Sequence, residues 1–132
     1  MVHLHVFNRE GEIYLQKRSA EKDILPGYWD TAVGGHVADG ETPEEALVRE
    51  AREEIGLTGF IPHALGTHTI DTRHESEFVY VFATWHDGAL HPNPAELDDG
   101  RFWTQADIEA HLGSGVFTPH FEQDWRRFFS NQ

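Results

Sequence analysis

The pattern of apolar and polar positions predicts β-strands in the first quarter of the chain and again in its middle. HLHVFN (3–8) and EIYLQKR (12–18) alternate or run apolar on either side of the turn-like NREGE, which predicts two antiparallel strands. The segment SAEKDILPGYWD (19–30) is predicted to be a loop. Further strand-like runs are TAV before Gly34-Gly35, LGTHTI (65–70), EFVYVFATWH (77–86) and RFWT (101–104).

Three segments carry helix start signals. Thr42 can cap, Pro43 suits the first turn and Glu45 completes a capping box, while Gly56 suits a left-handed C-terminal residue, so a helix is predicted over about 43–55. QADIEAHL after Thr104 and the segment after Thr118-Pro119 are predicted to be helical too. Aromatic residues recur at helical spacing in the last one, as is typical of core packing: Phe121, Trp125, Phe128 and Phe129. With 132 residues, these elements predict a single α/β (α+β) domain over 1–132.

The predicted helix 43–55 has an apolar face and an acidic face. Its predicted core arc, roughly 100° wide, consists of Leu47, Val48, Ala51 and Ile55. Glu50, Glu53 and Glu54 follow i, i+3, i+4 spacing on a second arc, where like charges are mildly destabilising. A divalent cation would reverse the sign of that interaction, since Mg²⁺ takes hard oxygen ligands. A solvated face paired with Arg49 and Arg52 is the alternative that the helical wheel leaves open.

The composition narrows the classes of partner. Ten Lys and Arg against 23 Asp and Glu give a formal net charge of −13, which is a poor match for a nucleic acid polymer. An anionic substrate would need a positive group, such as a divalent metal, between it and the protein. No apolar run is long enough for a membrane span, and no signal peptide precedes the first strand. The absence of cysteine fits a reducing compartment, so we expect a cytoplasmic protein.

The ten histidines also invite a metal interpretation. His3 and His5 would share one strand face, because successive side chains of a strand alternate. Further ligands at diagnostic spacing are lacking, so we do not expect a structural zinc site.

The segment from Gly35 to Leu57 resembles the Nudix box, G-x5-E-x7-R-E-U-x-E-E-x-G-U, where U is a bulky aliphatic residue. Every fixed position is filled, by Gly35, Glu41, Arg49, Glu50, Glu53, Glu54 and Gly56. Ala51 departs from the pattern in size only. The segments before and after the box, EIYLQKRSAEKDILPGYWDTAVGGHV and AELDDGRFWTQADI, resemble Nudix hydrolases of the isopentenyl-diphosphate-isomerase-like group. The resemblance implies a Nudix α/β/α sandwich with a central mixed sheet.

The resemblance also implies an activity, namely hydrolysis of a nucleoside diphosphate linked to another moiety, with Mg²⁺ or Mn²⁺ as cofactor. Glu50 and Glu54 would be the principal metal ligands, and Glu53 would be a further ligand or the base for an attacking water. Arg49 would orient these glutamates by ion pairing. The substrate would be a small-molecule diphosphate, whose identity the sequence leaves open.

Other box and loop residues complete the implied site. Glu41 would be a partner of the ligands, and Gly35 would allow close backbone approach and offer its carbonyl to the metal. A further carboxylate is expected from the loop that follows the fifth strand-like run. Glu96 is the first choice, followed by Asp99 and Asp98, although each one is equally well explained as a solvated loop residue.

Substrate contacts are predicted from two basic residues at the end of the second strand and from one aromatic residue in the loop that follows it. Lys17 and Arg18 could reach phosphate, and Trp29 could stack on a base, although solvated and core positions are the alternatives. Arg73 and His74, in a predicted hairpin tip, could contact substrate as well.

Three alternative functions remain to be weighed. Isopentenyl-diphosphate isomerase-like activity would, by resemblance, use a catalytic cysteine and a modified box, whereas this chain has no cysteine and an intact box. A non-catalytic nucleotide-binding Nudix module would typically have lost box glutamates. A purely structural acidic helix predicts that Mg²⁺ neither binds nor stabilises the protein. The resemblance also allows a homodimer, since many members of the family dimerise.

Overall fold

A mixed β-sheet forms the centre of the molecule in the computed structural model, which describes residues 1–73, 75–95 and 97–130. Its strands are β1 (Val2–Phe7), β2 (Ile13–Arg18), β3 (Trp29–Asp30), β4 (Val33–Gly35), β5 (His63–Asp71), β6 (Ser76–Trp85) and β7 (Leu97–Trp103). The helices are α1 (Pro43–Ile55), α2 (Gln105–His111) and α3 (Pro119–Asp124), and a π-helical turn (Trp125–Phe129) follows α3. Two boundaries were wrong, because β3 lies in the predicted loop and β7 begins at Leu97 instead of Arg101.

The strand order brings β4 beside the first strand. The sheet follows the order β3-β2-β1-β6-β5, with β4 paired to β1 and β7 paired to β2. β1 and β6 are parallel, and the predicted antiparallel pairing of β1 with β2 is confirmed near their hairpin, at Phe7 and Ile13. The other half of β1 pairs with β4, so that His3 lies opposite Gly34 and Val2 opposite Gly35. This pairing fixes the backbone that leads into α1.

Apolar side chains fill both faces of the sheet. Alternation along β1 sends Val2, Leu4 and Val6 to the side covered by α1 and sends His3 and His5 to the opposite side, which they share as predicted. The opposite side is covered by α2, α3 and the π-helical turn around a cluster of Ile13, Leu15, Trp103, Ile108, Phe117, Phe121 and Trp125. The predicted core role of Phe121 and Trp125 and the α/β/α sandwich with a central mixed sheet are confirmed.

Helix α1 begins and ends at the predicted residues. The Thr42 hydroxyl accepts a hydrogen bond from the Glu45 amide, the Glu45 carboxylate accepts one from the Thr42 amide, and Gly56 has a φ of 66°. The predicted burial of Val48 was wrong, since its side chain is 45% exposed while Ala46 is buried. Helical spacing gives the direction of a side chain but not which neighbouring element covers it. None of the helices in the described ranges is long and apolar enough to cross a membrane.

Candidate active site

A cavity of about 680 Å³ opens beside α1. Its wall is built from the cavity-facing side of β2, from β4, from the turn between β5 and β6, and from the start of α3. Helix α1 contributes Glu50, Glu53 and Glu54. Its other charged or polar wall residues include Gln16, Arg18, His36, Arg73, Glu75, Glu77 and His120. The cavity therefore collects carboxylates from two sides.

The glutamates of α1 differ in their exposure to solvent. Glu53 is 51% exposed and Glu50 is 17% exposed. Glu54 is more deeply placed, and its Oε2 atom is buried without a hydrogen-bond partner in the described part of the chain. Burial and the neighbouring Glu50 carboxylate raise the pKa of Glu54 to about 9. Glu54 is therefore not part of a solvated, salt-bridged face.

Arg49 contacts several acidic groups but is held mainly by one of them. Its Nε and Nη2 atoms donate to the two carboxylate oxygens of Glu41 at 2.8 and 2.9 Å. Its Nη1 atom donates to Glu50 at 2.5 Å and to Glu53 at 3.4 Å. Hydrogen bonds from Arg49 and from the Ala38 amide hold the pKa of Glu41 at about 2. The single positive charge of Arg49 is therefore shared among Glu41, Glu50 and Glu53, so it cannot also neutralise the Glu54 carboxylate.

Gly35 lies directly against the Glu50 carboxylate. A Cβ atom at this position would collide with the Glu50 side chain, so any larger residue would displace it. Gly35 belongs to strand β4, which is held in place by its pairing with β1. The carbonyl of the next residue, His36, accepts a hydrogen bond from Arg49 at 3.2 Å. The close backbone approach expected at Gly35 is therefore present.

Of the predicted substrate-binding residues, the structure brings Arg18 to the cavity wall and leaves Lys17 and Trp29 outside it. Strand alternation explains the difference, because Gln16 and Arg18 face the cavity and Lys17 points the other way. Trp29 packs edge-on against Trp103, with ring centroids 5.2 Å apart. The Arg18 guanidinium donates to the Ile24 carbonyl at 2.9 Å and 3.1 Å, which holds it beside the loop after β2.

The later-loop carboxylates do not line the cavity in the described ranges. Asp98 accepts a hydrogen bond from the Ala20 amide at 3.0 Å, and Asp99 accepts one from the Gly100 amide at 2.8 Å. Glu96, the first choice, lies outside the described residues, as does His74. Arg73 is a wall residue.

Sequence reasoning missed a second group of potential ligands across the cavity. Glu75, Glu77 and His120 have ligand atoms that all lie within 4.8 Å of one another. Glu77 also lies 3.0 Å from His36 Nε2. Glu77 begins a predicted strand and Glu75 lies two residues before it, but His120 comes from a distant helix, and nothing local in the sequence links it to them.

A buried carboxylate behind this group was missed as well. Asp124 is fully buried and accepts hydrogen bonds from His3 Nδ1 at 2.7 Å, His5 Nε2 at 2.8 Å and His68 Nε2 at 2.7 Å. Burial alone would raise the pKa of Asp124, but the His3 ring and the three hydrogen bonds hold it well below its usual range. His3 continues to His120, with ring nitrogens 3.3 Å apart.

The mixed-sheet sandwich and the carboxylate-lined cavity beside helix α1 agree with the Nudix fold that the sequence implied. The NUDIX domain family model matches residues 1–121, so the chain belongs to the Nudix hydrolase family, whose members act on substrates that contain a pyrophosphate. An uncharacterized Nudix hydrolase of Listeria monocytogenes is 31% identical over 92% of this chain and 72% of the relative.

Two further relatives bear on fold and function. A crystal structure from Deinococcus radiodurans matches with a TM-score of 0.86 and 28% identity, over 98% of this chain and 82% of the other. Isopentenyl-diphosphate Delta-isomerase 1 of Photorhabdus laumondii is 28% identical over 98% of this chain and 81% of the isomerase. Proteins named as hydrolases and as isomerases are thus both similar to this chain.

Proposed function

We propose that this protein is a divalent-cation-dependent pyrophosphohydrolase that cleaves the diphosphate of a nucleoside diphosphate linked to another moiety. The observation that carries the proposal is the state of Glu54. This carboxylate is largely buried beside Glu50, has an oxygen without a partner in the described residues and borders the cavity, yet the Arg49 guanidinium on the same helix is shared by Glu41, Glu50 and Glu53. A group of this kind is stabilised by a cation from outside the chain.

The residues present fit Mg²⁺ or Mn²⁺. Both ions favour oxygen ligands, and the site offers carboxylate oxygens without a thiolate. Glu50 and Glu54 would be the main ligands, Glu53 a further one, and the Gly35 carbonyl a backbone ligand. Glu96 stays a prediction for an additional ligand.

Residues of the chain accept the proton, position the carboxylates and bind the phosphate. When bound, the cation would offset negative charge on the diphosphate and make water a better nucleophile. Glu53 is the most exposed of the three carboxylates and accepts the proton of the attacking water. Arg49 holds Glu50 and Glu53 in place, and Arg18 binds a phosphate oxygen. Water adds across the anhydride bond, which breaks to give two phosphate monoesters.

Replacement of Glu54 by Gln tests this proposal. The amide keeps the shape of the side chain and loses a charged ligand, so Mg²⁺-dependent hydrolysis should fall by about 100-fold or more. The assay is ³¹P NMR of the products from a panel of nucleoside diphosphate derivatives. Glu44→Gln, which changes an exposed glutamate in the first turn of the same helix, is the matched control. Equal turnover in both variants and the wild type would contradict the assignment.

Two alternative functions have distinct outcomes in the same assays. The similarity to the Photorhabdus isomerase favours a test with isopentenyl diphosphate, in which appearance of dimethylallyl diphosphate would support isomerisation. The absence of cysteine and the intact box argue for the hydrolase. Nucleotide binding without turnover on the whole panel would favour a non-catalytic module.

Three expectations from the sequence also remain proposals. We propose that residues 1–132 form one Nudix domain, that the protein acts in the cytoplasm and that it can form a homodimer. Sedimentation at several protein concentrations tests the dimer, and a single mass at the monomer value would exclude it.

A further inference from the structure

Gln16 occupies a position where an apolar residue would be expected. It lies in β2, is 2% exposed and follows the buried Leu15. Its Nε2 atom donates a hydrogen bond to Glu54 Oε1 at 3.2 Å, whereas its Oε1 atom is buried without a partner in the described residues. A buried amide whose carbonyl is unpaired costs stability. Packing alone therefore gives no reason for a glutamine here.

The hydrogen bond to Glu54 gives Gln16 a specific effect. It occupies one carboxylate oxygen and leaves the other, Oε2, unpaired. Carboxylates that bind metal ions are commonly oriented by such outer hydrogen bonds. The donor belongs to strand β2 and the acceptor to helix α1, so the hydrogen bond restricts rotation of the Glu54 side chain from a rigid element.

We propose that Gln16 is a positioning residue of the cation site. Its amide fixes the Glu54 carboxylate in the orientation that keeps Oε2 free for a divalent cation. This inference rests on the proposed function, because it requires that Glu54 binds the cation. It differs from a packing role in one respect: the residue matters for cation affinity and not for the stability of the metal-free protein.

The replacement Gln16→Met separates these two roles. Methionine has similar length and fills the same space, but it has neither the donor nor the unpaired carbonyl. Mn²⁺ affinity, measured by electron paramagnetic resonance on metal-stripped protein, should fall about 10- to 100-fold. The Tm of the metal-free variant should be equal to or higher than that of the wild type. At saturating Mn²⁺, kcat should return to near the wild-type value, because the cation site can then be filled.

A matched control is available in Gln105→Met. Gln105 is exposed, and its Nε2 atom donates to the Gly11 carbonyl, outside the cavity. This variant should bind Mn²⁺ like the wild type. Gln16→Leu serves as the second variant and should show the same loss of affinity with a different apolar shape. Unchanged Mn²⁺ affinity in both Gln16 variants, or a lower metal-free Tm as their only effect, would overturn the inference.

Glu54→Gln in the same titration separates failure of this inference from failure of the proposed function. If Glu54→Gln weakens Mn²⁺ binding and Gln16→Met does not, only the role of Gln16 is wrong. If Glu54→Gln binds Mn²⁺ as tightly as the wild type, Glu54 is not a ligand and both ideas fail together.

Discussion

Two buried carboxylates in this molecule have opposite environments. Asp124 accepts three imidazole hydrogen bonds, and its pKa is held well below the usual range. Glu54 accepts a hydrogen bond from the Gln16 amide and lies beside a second carboxylate, and its pKa is raised. Both residues lose hydration on folding, so the difference lies in the partners that the protein supplies. The protein supplies hydrogen-bond donors to both oxygens of Asp124, whereas Oε2 of Glu54 has no partner in the described residues and is the atom proposed to bind a cation.

The positions of the two groups explain this difference. Asp124 lies in α3 against the face of the sheet that carries His3 and His5, and His68 reaches it from β5. All of its partners are therefore fixed by the sheet. Glu54 borders the cavity, where a partner can enter and leave. If the fold supplied hydrogen-bond donors to both oxygens of Glu54, no carboxylate oxygen of this residue would be free to bind a cation in the cavity.

The largest effect is expected from Asp124→Asn. The variant leaves imidazole donors facing an amide with one acceptor oxygen, and breaking a buried charged network typically costs about 3–5 kcal/mol. Urea unfolding at pH 7 measures the change in the free energy of unfolding. Asp39→Asn, at an exposed position, should change it by less than about 0.5 kcal/mol. Similar stability of the two variants would show that the three hydrogen bonds to the Asp124 carboxylate do not stabilise the fold.

The second effect, which is smaller for each pH unit, is the dependence of stability on pH that Glu54 is expected to cause. Its folded-state pKa lies above its unfolded value, so the metal-free folded protein binds more protons, and stability falls as pH rises from about 5 to about 9. One proton gives a slope of at most about 1.4 kcal/mol per pH unit. Urea unfolding in EDTA at several pH values should show this slope in the free energy of unfolding of the wild type. The slope should be smaller in Glu54→Gln. It should also be smaller in the wild type when Mg²⁺ replaces EDTA. Parallel profiles for wild type and variant would exclude Glu54 as its source.

The surroundings of Glu54 could be predicted from the sequence far better than the hydrogen-bond network of Asp124. Helix α1 is defined by local signals, since the capping box at Thr42 and Glu45 and the left-handed Gly56 set its ends. With the ends set, the spacing of its carboxylates follows from helical geometry. The contacts of Arg49 with Glu41 and Glu50 are local as well, so they could be anticipated from the box pattern.

The Asp124 network could not be predicted in the same way. His3 and His5 were visible as a pair on one strand face, but their acceptor lies near the other end of the chain. No periodicity connects residues so far apart, because their meeting depends on how α3 packs on the sheet. Lys17 and Trp29 fell outside the cavity for a related reason: strand alternation separates neighbours, and the sequence does not show which face borders a cavity.

The smallest effect is expected from His68→Phe, which tests whether the three donors share the Asp124 charge. Phenylalanine keeps the edge-on packing against Phe128 and removes one of the three hydrogen bonds. Loss of one hydrogen bond to a charged group should cost about 1.5–3 kcal/mol, and less where the other donors remain, so a value near 1.5 kcal/mol is expected.

His63→Phe is the matched control for that variant, because His63 is an exposed residue of the same strand that packs on Trp85. It should leave the free energy of unfolding nearly unchanged. Hydrolysis should be unaffected in both, since neither ring borders the cavity. If His68→Phe were as damaging as Asp124→Asn, a single donor would account for the network. If it matched His63→Phe, the third hydrogen bond would contribute nothing, and Asp124 would be held by β1 alone.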